Sequence, residues 1–190
     1  MSISRKVQLM TYPDSLGGNL KSLQKTIDTY LSDAIGGIHI LPPYPSSADR
    51  GFAPKTHLEI DERFGTGEDI RNISAKYDLI MDLVFGHISI ESKEFQDYLR
   101  HGRDSEYADM FMRIDKVFTE GNMPIEAIVA YDYLTPVPPL IVFTLQDGSK
   151  EVHFRTFMPH QADLDPHAPI TKELYRTFAQ KLAENGVKMA

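Results

Sequence analysis

Chemistry in this chain must come from carboxylates, histidines and amides, because its 190 residues include no cysteine. Disulfides, zinc–thiolate sites and cysteine nucleophiles are therefore excluded together. Seven histidines are present: His39, His57, His87, His101, His153, His160 and His167. None pairs with another at i, i+4 and no Glu-x-x-His occurs, so no metal site is expected. Gly65-Thr66-Gly67 is too short for a phosphate-cradling loop and follows no strand-like run. Asp49 follows the second apolar run, Asp82 sits in the third, and His87 stands just after it. Arg113-Ile114-Asp115, between Tyr107 and Phe118, reads as a structural or solvated pair.

The elements that must position these groups alternate at first. Val7 to Thr11 is a short apolar run, read as a buried strand. Turn formers fill the stretch from Tyr12 to Gly18. Leu20, Leu23, Ile27 and Leu31 then recur at helical spacing behind Asn19, an expected N-cap. Gly36 and Gly37 are expected to end that helix. Ile38 to Leu41 reads as a second strand, Ile70 and Ile73 mark a second helix, and Leu79 to Val84 a third strand. This is the βαβ rhythm of a parallel sheet.

After Gly86 the rhythm breaks. A short helix carries Phe95, Tyr98 and Leu99 and ends at Gly102. An irregular stretch follows with Pro124, Pro136, Pro138 and Pro139. Ile141 to Leu145 and Glu151 to Thr156 then face each other across Asp147-Gly148 as a hairpin. A helix from Thr171, with Leu174, Phe178 and Leu182 on one face, restores the alternation. Asn185-Gly186 caps it, and Val187 to Ala190 reads as the start of a fourth strand. The expected divisions are 1–86 for the first strands and helices, 87–165 for an inserted subdomain, and 166–190 for the third helix and fourth strand. Three strands and an incipient fourth would leave unpaired backbone at a sheet edge. An incomplete α/β domain is expected, barrel or open sheet, its open side calling for a C-terminal half or self-association.

Composition sets further bounds. A net charge of −7 with scattered basic residues disfavours nucleic acid and anionic membranes as partners. The first residues form no signal peptide and no run reaches transmembrane length, so a cytoplasmic protein is expected.

Five segments in order carry a resemblance: Tyr12-Pro13-Asp14-Ser15-Leu16-Gly17; Leu41-Pro42-Pro43-Tyr44-Pro45-Ser46; Asp49-Arg50-Gly51-Phe52-Ala53-Pro54; Gly86-His87-Ile88-Ser89 with Glu91-Ser92-Lys93; and the run from Phe157 to Asp165. Together they resemble the sucrose phosphorylase subfamily of the α-amylase superfamily, from about Val7 to the last residue. The resemblance implies the N-terminal portion of a (β/α)8 TIM barrel with a small subdomain inserted after the third strand. It implies glycosyltransferase chemistry without a cofactor: retaining phosphorolysis of sucrose or a related α-glucoside by inorganic phosphate. The nucleophile and general acid of that family lie in or after an Arg-x-Asp motif, expected beyond Ala190, so no catalytic residue is assigned here. A related acceptor, such as glucosylglycerate or a sugar phosphate, and a non-catalytic half-barrel fragment are the alternatives.

Substrate-binding roles carry over by resemblance to Asp49 and His87, on glucose hydroxyls, and to Gln161 beside the hydroxyl that His87 contacts. Phe52 and Phe157 carry over as aromatic walls. Each also has an ordinary structural reading: a turn aspartate for Asp49, core packing for the two phenylalanines, a satisfied polar group for His87. Asp82 is expected to be structural, buried in the third strand and in need of a partner. Three departures stand out. Gly86 replaces a common asparagine, Phe154 a common tryptophan, and the segment from Tyr131 to Pro136 lacks an arginine found in the corresponding acceptor loop.

Overall fold

Three parallel strands open the chain: β1 (Val7–Thr11), β2 (Ile35–Ile40) and β3 (Asp78–Met81), adjacent in that order. Helix α1 (Leu20–Tyr30) crosses from β1 to β2, and α2 (Gly67–Ser74) precedes β3. After β3 come β4 (His87–Ser89), α3 (Lys93–His101) and the single turn α4 (Ile114–Val117). Strands β5 (Leu140–Thr144), β6 (Lys150–Phe154) and β7 (Gln161–Asp163) follow, and α5 (Pro169–Glu184) is the last helix. This computed structural model describes residues 3–118 and 138–190. Two compact units emerge: Met1–Val84 with Tyr175–Ala190, and Phe85–Leu174. The segment from Tyr131 to Pro136, with Pro124, lies outside the described residues.

In the first unit local signals and burial agree. The Asn19 side chain accepts the Ser22 amide at 2.9 Å, satisfying a free helix N–H. Leu20, Leu23 and Ile27, one face of α1, are fully buried. Thr66 and Asp69 form a reciprocal capping box on α2, whose Ile70 and Ile73 are also fully buried. The glycine pair is placed differently from expectation. Helix α1 ends at Tyr30, and Gly36 and Gly37 lie inside β2. A Cβ at Gly37 would fall 1.7 Å from Gln8 Oε1 and 2.7 Å from the Asp78 carbonyl, so the flanking strands leave no room for a side chain.

Residues beyond α5 extend the sheet. Lys188 N–H donates to the Leu79 carbonyl at 2.8 Å and Met81 N–H to the Met189 carbonyl at 3.1 Å, a parallel bridge beside β3. The order β1-β2-β3 followed by residue 189 is that of the first strands of a parallel barrel. The turn into this strand is a Schellman motif. Gly186, at φ 75°, bonds to Ala183, and Val187 to Leu182, each at 3.0 Å. Lys188 pairs with the Asp78 carboxylate, and that bond holds Asp78 below the usual carboxylate range.

The second unit is built around aromatic rings. Phe95 lies 4.8 Å from Phe111 and 4.7 Å from Phe143, centroid to centroid, and Tyr98 packs beside it. Strands β5 and β6 pair antiparallel around the turn at Gly148, the hairpin expected across Asp147-Gly148. Arg113-Ile114-Asp115 belongs to an ion network under this hairpin. Arg113 Nε reaches Asp115 at 3.1 Å, and Arg103 bonds Asp115 and Glu151 at 2.7 Å each. Tyr98 bonds the Glu151 carboxylate and meets His153 Nε2 at 3.0 Å.

Burial pushes His153 down to about 4, with Glu151 and Asp115 opposing and Arg113 and Arg103 reinforcing that shift. Folded His153 thus stays neutral to about pH 4, whereas the unfolded chain takes up the proton near its ordinary value of 6.5. Between those values the unfolded state binds more protons, so stability falls as pH falls. The expected loss is on the order of 3 kcal/mol by pH 4, with none from this group below it. Urea midpoints at pH 7 and pH 4.5 will show it, and His153→Gln will flatten the dependence. Equal slopes in both proteins would refute the assignment.

Candidate functional site

Strands β4 and β7 bring the second unit's candidate residues together. The register pairs His87 with Asp163, Ile88 with Ala162 and Ser89 with Gln161. Side chains alternate across a sheet, so His87, Ser89, Gln161 and Asp163 share one face and Ile88 and Ala162 the other. The apolar pair is buried at 1% and 0% exposure, and the four polar residues are buried as well. A packed apolar face fixes the register, and the register lines up the polar groups. Gln161 Oε1 accepts the Met158 amide at 3.1 Å. The Phe157 ring stands edge-on to His87 at 5.4 Å and is half exposed. An open aromatic face beside a histidine and an amide can take the apolar face of a sugar while the polar groups meet its hydroxyls.

The third strand ends at Met81, short of the expected Val84, and His87 opens β4 in the second unit. Gly86, immediately before it, is exposed, and a Cβ there would meet nothing within 4 Å. Neither positive φ nor crowding therefore demands glycine at this position.

Asp49 belongs to the first unit, on an exposed turn beyond β2. Asp49 (φ 56°), Arg50 (φ 46°) and Gly51 (φ 107°) are three successive left-handed residues. That conformation costs a non-glycine residue about 1–2 kcal/mol. Gly51 fits because a Cβ would fall 2.3 Å from the Pro42 carbonyl. Arg50 stacks 3.8 Å over the Tyr12 ring and bonds Asp14 at 2.8 Å, which offsets the strain. A cleft of about 260 Å³ results, lined by Tyr12, Asp14, Tyr44, Asp49, Arg50 and Arg63 among others. Phe52 is half-buried and does not line this cleft.

Asp82 corrects an expectation. It lies one residue past β3 and is half-buried, because the strand stops at Met81. Its Oδ1 meets His39 Nε2 at 3.2 Å, and its Oδ2 has no hydrogen-bond partner among the described residues. The sheet neighbour His39 supplies the partner that an isolated carboxylate needs. Burial, and then the charge of Asp82, raises the nearby Tyr44 hydroxyl above its ordinary range. Among the described residues no group of three or more His, Asp or Glu could hold a metal ion, and no helix is long and apolar enough to cross a membrane.

Sequence reasoning missed Ser89, Thr156 and Asp163, and the Tyr12–Arg50 side of the cleft. Asp163 had a signal, since it follows Gln161 at the two-residue spacing that shares a strand face.

Parallel strands linked by helices, with a further parallel bridge beside β3, are the arrangement of part of a (β/α)8 barrel. The α-amylase catalytic-domain family model matches residues 8–188, and the chain belongs to that family. Within it the chain is the N-terminal part of a sucrose phosphorylase-type member. The sucrose 6(F)-phosphate phosphorylase of Thermoanaerobacterium thermosaccharolyticum is 42% identical over 194 residues, covering 100% of this chain and 40% of the relative. The glucosylglycerol phosphorylase of Marinobacter adhaerens is 42% identical over 189 residues, covering 100% and 39%. A crystal structure of sucrose 6F-phosphate phosphorylase from Thermoanaerobacter thermosaccharolyticum superposes at a TM-score of 0.93 with 42% identity, covering 99% of this chain and 39% of that one. The chain spans about 40% of the length of the curated relatives it matches.

Proposed function

We propose that these residues supply the donor-glucose contacts of a retaining α-glucoside phosphorylase using inorganic phosphate. The observation that supports this most is the shared face of His87 and Gln161, with the half-exposed Phe157 ring against His87. In this reading His87 and Gln161 bind hydroxyls and Phe157 covers the apolar face of the ring; Asp49 and Phe52, in the first unit, are assigned sugar contacts on their motif alone. In such a reaction a carboxylate displaces the leaving sugar oxygen at the anomeric carbon while a carboxylic acid protonates that oxygen. Phosphate oxygen then displaces the enzyme carboxylate, giving glucose 1-phosphate with net retention. Neither of those two carboxyl groups is assigned among the residues named here, and the part proposed for this segment is binding.

The acceptor stays broader than sucrose. Relatives named for sucrose 6(F)-phosphate and for glucosylglycerol match equally, at 42%, so the shared donor chemistry is what this segment carries. The test joins residues 1–190 to the remaining part of the T. thermosaccharolyticum enzyme, and this chimera is the completed enzyme below. It is expected to release glucose 1-phosphate from at least one of sucrose, sucrose 6F-phosphate or glucosylglycerol, whereas residues 1–190 alone release none. A chimera that melts cooperatively yet turns over none of the three would overturn the proposal.

A further inference from the structure

Phe157 stands on a short segment that is closed at both ends. At one end, the Asp163 carboxylate accepts the Thr156 amide on both oxygens, at 3.1 and 3.0 Å, and the Thr156 hydroxyl at 2.5 Å. At the other end Gln161 Oε1 accepts the Met158 amide, and the Gln161 amide donates to the Met158 carbonyl, each at 3.1 Å. Phe157 lies between these closures with 50% of its surface exposed. Exposure at that level gives the ring little packing of its own to hold it, so its direction depends on the backbone beneath it.

Asp163 is suited to fix that backbone. It is 7% exposed, so its charge needs the donors that Thr156 provides. It also sits opposite His87 in the β4–β7 register, and its position is set by the same ladder that sets His87. One residue is thus tied to the histidine through the sheet and to the aromatic ring through Thr156. We propose that Asp163 and Thr156 are positioning residues that hold the Phe157 ring against His87 and so shape the donor subsite. The inference rests on the sugar-binding role proposed for His87 and Phe157; neither Asp163 nor Thr156 touches the sugar.

The test uses Thr156→Val, which keeps the β-branched shape and removes the hydroxyl, and Thr156→Ser, which keeps the hydroxyl. In the completed enzyme Thr156→Val is expected to raise KM for the glucosyl donor roughly tenfold, the equivalent of one hydrogen bond. KM for phosphate stays put, the melting temperature holds, and amide exchange quickens across residues 156–160. Thr156→Ser restores wild-type donor KM and exchange. Asp163→Asn, which gives up part of the acceptor set, moves both readouts the same way and serves if Thr156→Val fails to melt cooperatively. Unchanged exchange in both variants would show that no clamp exists. Faster exchange with unchanged donor KM would show a structural clamp without influence on the site. If His87→Ala and Phe157→Ala also leave donor KM unchanged, the sugar-binding reading fails separately, and the exchange data still judge the clamp.

Discussion

His87→Ala in the completed enzyme will lower kcat/KM for the glucosyl donor by roughly ten- to a hundredfold, with the melting temperature nearly unchanged. The imidazole is 7% exposed on the polar face of the β4–β7 ladder, so a hydroxyl bonded there is shielded from water. A buried hydrogen bond of this kind contributes about 1–3 kcal/mol, which sets the expected range. Folding should notice the change little, because Ile88 and Ala162 carry the packed face and are untouched. Asp82→Ala provides the contrast. Its carboxylate pairs with His39 at 3.2 Å and is half-buried, so its loss should reduce stability, by about 1 kcal/mol, before it reduces turnover. An early melt with full activity for His87→Ala would make that residue scaffold instead.

The largest expected stability effect lies at Phe95. This ring is fully buried and meets Tyr98, Phe111, Phe143 and His153 within 4.7–6.1 Å between centroids. Phe95→Ala removes the contacts at the centre of that cluster and leaves a cavity that rigid neighbours cannot fill. Such truncations cost about 3–5 kcal/mol, a large share of the stability of a small unit. Urea unfolding will show the loss as a lower midpoint, with exchange in β5 and β6 rising first. Phe95→Leu should recover much of it. A loss of stability below about 1 kcal/mol would mean that the aromatic cluster is not the core of the second unit.

Much of the first unit was legible because its signals are local and redundant. Leu20, Leu23 and Ile27 repeat at helical spacing behind a capping Asn19, and all of these meet their expected roles. Gly36 and Gly37 misled because glycine commonly ends helices, whereas here both lie inside a strand and crowding from Gln8 and Asp78 requires glycine at position 37. That requirement comes from neighbouring strands and leaves no trace in local spacing. Strands β4 and β7 escaped notice for a related reason. Each is three residues long, too short for alternation to register, and each forms only by pairing across more than seventy positions. The individual residues His87, Phe157 and Gln161 were found through motif resemblance. Their common face, and the Thr156–Asp163 bonds beneath it, arise only when the chain folds.

Glucose binding to the completed enzyme, measured by calorimetry with wild type, His87→Ala and Asp49→Ala, tests the donor-subsite assignment most directly. Both substitutions are expected to weaken glucose at least tenfold, one lost hydrogen bond each, while phosphate affinity and cooperative melting persist. Unchanged glucose affinity in both folded variants would contradict the assignment.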